Sequence, residues 1–269
     1  MGVGESKGNS HQIWYGGTGF FVGVDSKRIS GASFLYLVTA KHVADKLKHP
    51  NFWLRANTRD GRAMHLMADQ NTNWIFHSTD KAADIAIMPM GLDQKVFDYL
   101  GIHCDSILTE KMRLEKGIGI GDEVFITGLF VHHQGNQKNL PIVRTGNIAM
   151  IPDERIPIKN FGDMDAYLIE ARSIGGLSGS PVFTIHHDMK LPAGTVYLMR
   201  LMHGHWDVKS DKIIDEVEQD SGIKAGINVG IAIVTPAFKI LDILNCDELI
   251  KARTDFEDKT IALNSPMPG

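Results

Sequence analysis

The chain reads as short apolar runs separated by polar, glycine-containing breaks. The runs include "TGFFVGV", "SFLYLVTA", "NFWLRA", "DIAIMPM", "DEVFITGLF", "NIAMI", "DAYLIEA", "PVFTI", "TVYLMRLMHG" and "NVGIAIV". Each has strand length, is rich in Val, Ile, Phe or Tyr, and lacks a sustained helical period. Many short strands joined by Gly, Asp and Asn turns predict an all-β protein, sandwich or barrel. Three segments predict helices instead. "AKHVADKLKH" suits a short one, and "DQKVFDYLG" carries Val96, Phe97 and Leu100 ahead of Gly101. "TPAFKILDILNCDELIKA" is the strongest, with Thr235 as cap, Pro236 in the first turn and an apolar face of Phe238, Leu241, Ile243 and Leu244.

The runs fall into two β-rich halves, around residues 10–105 and 120–245. "LTEKMRLEKGIGIG", charged and then glycine-rich, serves as the connector. "HWDVKSDKIIDEVEQDSGIKAG" predicts a long polar loop, and "NSPMPG" a loose end. No repeat of solenoid spacing is present.

Composition narrows the class. The 269 residues are 43% hydrophobic and 22% charged, as in an ordinary soluble domain or two small domains sharing a core. A formal charge of −4 carries no footprint for nucleic acid or an anionic membrane. The opening "MGVGESKGNSHQIWYGG" holds no signal-peptide core, and no window has the length of a membrane span. Cys104 and Cys246 are too few for a disulfide framework and read as reduced. The expected setting is cytoplasmic, with no nucleic-acid or membrane partner.

One segment carries chemistry. "SIGGLSGSPVF", residues 173–183, holds Gly175, Gly176 and Gly179 with Ser173, Ser178 and Ser180 between two strand-like runs. Glycines around a serine let backbone N–H groups point into one small concavity, which suits a developing oxyanion. A serine on its rim needs a base and a group to orient that base. Among twelve histidines, His42 in "FLYLVTAKHVAD" stands out, just past an apolar strand in a small-residue corner. Asp84 in "KAADIAIMPM" enters an apolar strand, where a desolvated carboxylate should be using its charge on a partner. Singly, each feature reads better as a turn, a surface histidine or a cap.

Together they occur in the order His42, Asp84, Ser178, and "LVTAKHVA", "DIAIM" and "GLSGSPVF" resemble the three signature blocks of trypsin-like (chymotrypsin-fold) serine peptidases. "GGTGFFV", "GDEVFITGLF" and "NVGIAIVTPAFKILDIL" resemble strands and the closing helix of the bacterial Htr-type branch, so the resemblance runs over about residues 14–245. It implies an all-β fold of two six-stranded antiparallel barrels with a C-terminal helix. Residues 1–112 would form the first barrel with His42 and Asp84, residues 113–245 the second with Ser178, and residues 246–269 a tail. Ser178 would be nucleophile, His42 general base and acid, Asp84 the orienting acid, and the N–H groups of Gly176 and Ser178 the oxyanion hole. No cofactor or metal is implied, and the partner would be a polypeptide substrate. A regulatory partner chain or a homo-oligomer stays open, since no separate peptide-binding domain follows the second barrel.

The departures from the family pattern are informative. Leu177 and Ser180 stand where the family most often has Asp and Gly. Leu177 removes the carboxylate used to bind a liberated N-terminus, so activation by N-terminal cleavage is not expected. Ser180 is a rival nucleophile, placed less well than Ser178. By resemblance the specificity pocket would draw on Leu201, Met202 and His203, with Arg172 at its base. Zinc held by His186, His187, His203 and His205 is disfavoured, because neighbouring side chains on a strand point apart. An α/β-hydrolase is excluded by the order of the three residues. The alternative is the same scaffold as a latent or non-catalytic module that binds a peptide or partner.

Overall fold

The computed structural model describes residues 2–6, 13–46, 52–67, 73–130, 133–158, 161–171, 176–187, 194–208 and 227–264. The first half comprises β1 (Gly2–Ser6), β2 (Ile13–Thr18), β3 (Phe20–Asp25), β4 (Ser33–Thr39), α1 (Lys41–Lys46), β5 (Phe52–Asn57), β6 (Ala63–Met67), β7 (Ile75–Phe76), β8 (Ala86–Pro89) and β9 (Ile102–His103). The second comprises α2 (Glu110–Glu115), β10 (Glu123–Gly128), β11 (Ile142–Met150), β12 (Ile156–Ile158), β13 (Gly162–Met164), β14 (Tyr167–Glu170), β15 (Pro181–His186), β16 (Thr195–Val208) and β17 (Ile227–Pro236). Helices α3 (Phe238–Leu244) and α4 (Asp247–Asn264) follow.

The second half closes into a barrel in the order β10-β11-β14-β17-β16-β15, with β12 and β13 as a side hairpin. Two closed barrels were the expectation; among the described residues the first half instead forms two sheets, β2-β1-β5-β6 and β7-β8-β4-β3-β9. The chain changes sheet at Gly19. β2 pairs with β1 before it, and β3 pairs with β4 and β9 after it. The polar, glycine-rich start was not read as a strand, yet β1 pairs with both β2 and β5. Backbone pairing of this kind needs no apolar side-chain pattern.

Strand β16 joins the halves. Leu198 and Leu201 enter the first apolar core with Val22, Leu37, Val38 and Ile87, whereas Met199 and Met202 enter the second with Val124, Ile126, Ile169 and Val234. One strand thereby serves as a wall of both cores.

Three local expectations are corrected. "DQKVFDYLG" makes a single turn, in which the Asp93 carboxylate accepts from Lys95 N and the Asp93 carbonyl from Phe97 N. The chain then leaves to pair with the first half, Asp98 N donating to Asn57 O, so no helix can propagate. Thr235 and Pro236 finish β17, and α3 starts after Ala237 without a side-chain cap. The supposed tail is largely α4. It docks on the first half through Leu249 in the first core, an edge contact between Phe34 and Phe256 at 5.6 Å, and Ser26 Oγ donating to Glu257 Oε1 at 2.6 Å. "NSPMPG" beyond Asn264, and most of the polar loop, lie outside the described residues. No described helix is long and apolar enough to cross a membrane.

Candidate active site

His42 and Asp84 meet because β4 and β8 are neighbours. Their antiparallel register sets Thr39 opposite Ala86, so the chain leaving β4 and the chain entering β8 emerge at one end of the same ladder. His42 follows Thr39 by three residues and Asp84 precedes Ala86 by two. Asp84 is 1% exposed. Its Oδ1 accepts from the backbone N–H of His42 at 2.9 Å, and its Oδ2 lies 2.8 Å from His42 Nδ1. An ionised carboxylate only accepts, so Nδ1 carries a proton, and in the neutral imidazole the lone pair is on Nε2. Burial pushes the Asp84 carboxyl up, but the hydrogen bonds from His203 and His42 outweigh it and hold the group well below the usual carboxylate range.

The loop 176–180 explains its own composition. Gly176 and Gly179 have φ of +93° and +82°, conformations that favour glycine. A Cβ on Gly179 would collide with Thr18 O and Thr39 Oγ1, beside Ala40 N, so the loop lies directly on the corner that leads to His42. Leu177 is fully buried in the second core, which accounts for an apolar residue before the serine. Ser180 is also fully buried, against Gly128, and its hydroxyl presents no surface to a substrate. Ser178 is the half-exposed serine of the pair.

The resting hydroxyl of Ser178 does not engage His42. It donates to the backbone carbonyl of His203 at 3.2 Å, and among the described residues no hydrogen bond joins it to the imidazole. The N–H groups of Gly176 and Ser178 have no hydrogen-bond acceptor among the described residues.

His203 is placed differently from the expectation. Instead of lining a pocket, it points Nδ1 at Asp84 Oδ2, 2.5 Å away. His203 lies at the β-bulge between Met202 and Gly204, and this extra residue turns its side chain toward the first half. The Phe161 ring meets His203 edge-on at 4.5 Å and His42 at 5.9 Å. Neither contact was foreseen: His203 and Asp84 are 119 residues apart, and nothing local to Phe161 marks it. The one available signal was a histidine continuing the apolar run "LMRLMH". Leu201 and Met202 are fully buried in the two cores and offer no wall to a pocket. Arg172 lies outside the described residues.

His42, Asp84 and His203 bring their ligand-type atoms within 4.8 Å of one another, as do His103, Cys104 and Asp105. In the first group both Nδ1 atoms are at hydrogen-bond distance from the same Asp84 oxygen.

In sequence, no protein-family model matches the chain and no curated protein is similar to it. Solved structures are similar in fold. The MamO protease domain from Magnetospirillum magneticum is 15% identical, over 85% of this chain and 96% of that one, with a TM-score of 0.49. Deg5 is 11% identical, over 83% and 85%, at 0.45. The active form of the Rv3671c protease from M. tuberculosis is 16% identical, over 90% and 77%, at 0.44. These neighbours are all Htr/Deg-type trypsin-like serine protease domains. Likenesses of this size decide nothing about chemistry, which is read from the side chains alone.

Proposed function

We propose that this chain is a serine endopeptidase that hydrolyses polypeptides through Ser178, His42 and Asp84. The observation that supports it most is the double hold of buried Asp84 on His42, through the backbone N–H and through Nδ1. That hold fixes both the ring and its tautomer, as a general base requires.

In the proposed reaction Ser178 Oγ turns from the His203 carbonyl to His42 Nε2, gives up its proton there and attacks the substrate carbonyl. The N–H groups of Gly176 and Ser178 receive the developing oxyanion. His42 then passes the proton to the leaving amine, and the acyl-enzyme forms. Water attacks the ester in turn, with His42 again as base, and Ser178 is regenerated. Asp84 stays ionised throughout and stabilises the imidazolium.

A second reading has one observation in its favour. The Ser178 hydroxyl rests on the His203 carbonyl, as it would in a latent or non-catalytic binding module. A fluorophosphonate probe separates the two. Labelling of the wild type, lost in Ser178→Ala and retained in Ser180→Ala, is the result expected of the peptidase. A wild type that neither labels nor cleaves an unfolded protein substrate overturns that reading in favour of the module.

A further inference from the structure

Asp84 serves two imidazoles, not one. Its Oδ2 accepts from His42 Nδ1 at 2.8 Å and from His203 Nδ1 at 2.5 Å, while Oδ1 is taken by the His42 backbone. At 1% exposure, water cannot replace a missing donor. The second imidazole is itself held firmly. It is 7% exposed, and the Phe161 ring meets it edge-on at 89°, with ring centroids 4.5 Å apart. The backbone carbonyl of the same residue accepts the Ser178 hydroxyl. One residue therefore touches both the buried acid and the candidate nucleophile.

We propose that His203 is a positioning residue of this site, its Nδ1–H fixing the Asp84 carboxylate jointly with His42. The proposal rests on the serine-peptidase reading for its kinetic consequence and on the geometry alone for the pairing. Among the described residues, the ionisable groups in direct contact with the His203 ring are Asp84, through the hydrogen bond, and His42, with ring centroids 5.3 Å apart. His205 follows two residues later on β16. Sharing Oδ2 divides its acceptor strength between two donors and pins the carboxylate from two directions. A carboxylate held by His42 alone would keep the backbone donor on Oδ1 and one side-chain donor on Oδ2, and lose the restraint from its second side.

The test uses the whole chain with ¹⁵N-labelled histidine. It follows the low-field imidazole N–H signals of wild type, His203→Leu and His203→Asn. Leucine fills the volume without a donor, whereas asparagine offers an amide N–H near the position of Nδ1. The wild type should show two such signals. Each variant should lose one. The survivor, from His42, should move further downfield in His203→Leu, where Oδ2 is no longer shared, and stay near its wild-type position in His203→Asn. Fluorophosphonate labelling should slow roughly 10- to 100-fold in His203→Leu, the loss expected of one hydrogen bond to a charged group, and recover most of that in His203→Asn. If His203→Leu does not fold, His203→Asn carries the test alone by losing one signal and keeping the other in place. The proposal is overturned if the His42 signal does not respond to His203→Leu, if both signals persist in His203→Asn, or if the two variants slow labelling equally. A wild type that shows both signals but never labels supports the pairing and sinks the peptidase reading instead.

Discussion

Thr18 holds the loop of Ser178 at two points: its N–H donates to Ser178 O at 2.9 Å and its hydroxyl to Gly176 O at 2.8 Å. The same hydroxyl accepts from Leu129 N at 2.9 Å, in the second half. Thr18 ends β2, so a strand of the first half fixes the backbone from which the oxyanion donors would point. Thr18→Val keeps the shape and removes the hydroxyl, leaving the Leu129 N–H and the Gly176 carbonyl unpaired in a buried place. We expect a loss of about 1–3 kcal/mol in a denaturant melt and slower probe labelling at Ser178. Unchanged stability would show that water reaches these groups.

Gly179 faces a harder limit than Thr18. An added Cβ would strike the Thr18 carbonyl and the Thr39 hydroxyl, and the residue sits at a φ of +82°. A positive φ costs a non-glycine residue about 1–2 kcal/mol, and overpacking against backbone about 1–3 kcal/mol more. Gly179→Ala should therefore melt at markedly lower denaturant and lose probe labelling. A variant that melts and labels like the wild type would mean that the loop does not lie on this corner.

The site was legible where its residues are marked by local contrast. His42 and Asp84 are polar residues at the ends of apolar strands, and Ser178 sits among glycines whose need is now explained by φ and by contact with Thr18 and Thr39. What could not be read was set by distant pairing. His203 looked like a pocket residue because the strand face is fixed by registers and bulges of β16. The pattern "TPAFKILDILNCDELIKA" marks only the start of α4, because the helix buries only Leu249 and Glu257, too narrow a stripe to announce the rest. Closure of the first half was implied by the family resemblance alone, since the strand pattern leaves sandwich and barrel equally open. Its division into two sheets depends on the change of partners across Gly19.

Asp84 should control stability in acid as well as activity. Its folded carboxyl titrates below the ordinary value, so its contribution is fully present above the unfolded value of about 3.9 and is lost as pH falls through the folded value. Asp84→Asn should be less stable at neutral pH and lose less stability on acidification below pH ~4. Some slope should remain, because Asp80, Asp165 and Glu110 are also lowered despite desolvation. Labelling or turnover should fall on the order of 10⁴-fold, since an amide can hold His42 in the wrong tautomer. Acid melts of wild type and variant that stay parallel would contradict the assignment of this slope to Asp84.

Helix α4 should matter to the half it touches rather than to the barrel it follows. Leu249 is 2% exposed and packs in the first core with Leu37 and Ile87. Leu249→Ala should cost about 2–5 kcal/mol. Hydrogen exchange should then accelerate in β3 and β4 before it does in β10 and β11. Uniform acceleration across both halves would show that they unfold as one unit.

Lys239 links the Asp84 turn to the second half. Its Nζ is nearly buried and donates to Asp80 and, at 2.5 Å, to Asp165, while Arg155 reaches the same two carboxylates at 2.8 and 3.1 Å. Asp80 in turn organises the turn before Asp84, accepting from Ala82 N through its carboxylate and from Ala83 N through its carbonyl. Lys239→Met keeps the apolar stem but withdraws one cation from two carboxylates. Because Arg155 remains, the loss should be about 1–3 kcal/mol, less than for a fully buried pair broken outright. The informative readout is probe labelling at a temperature where the variant is fully folded. If the cluster positions Asp84, labelling slows there. If labelling is unchanged while the melt shifts, Lys239 serves only to join the two halves.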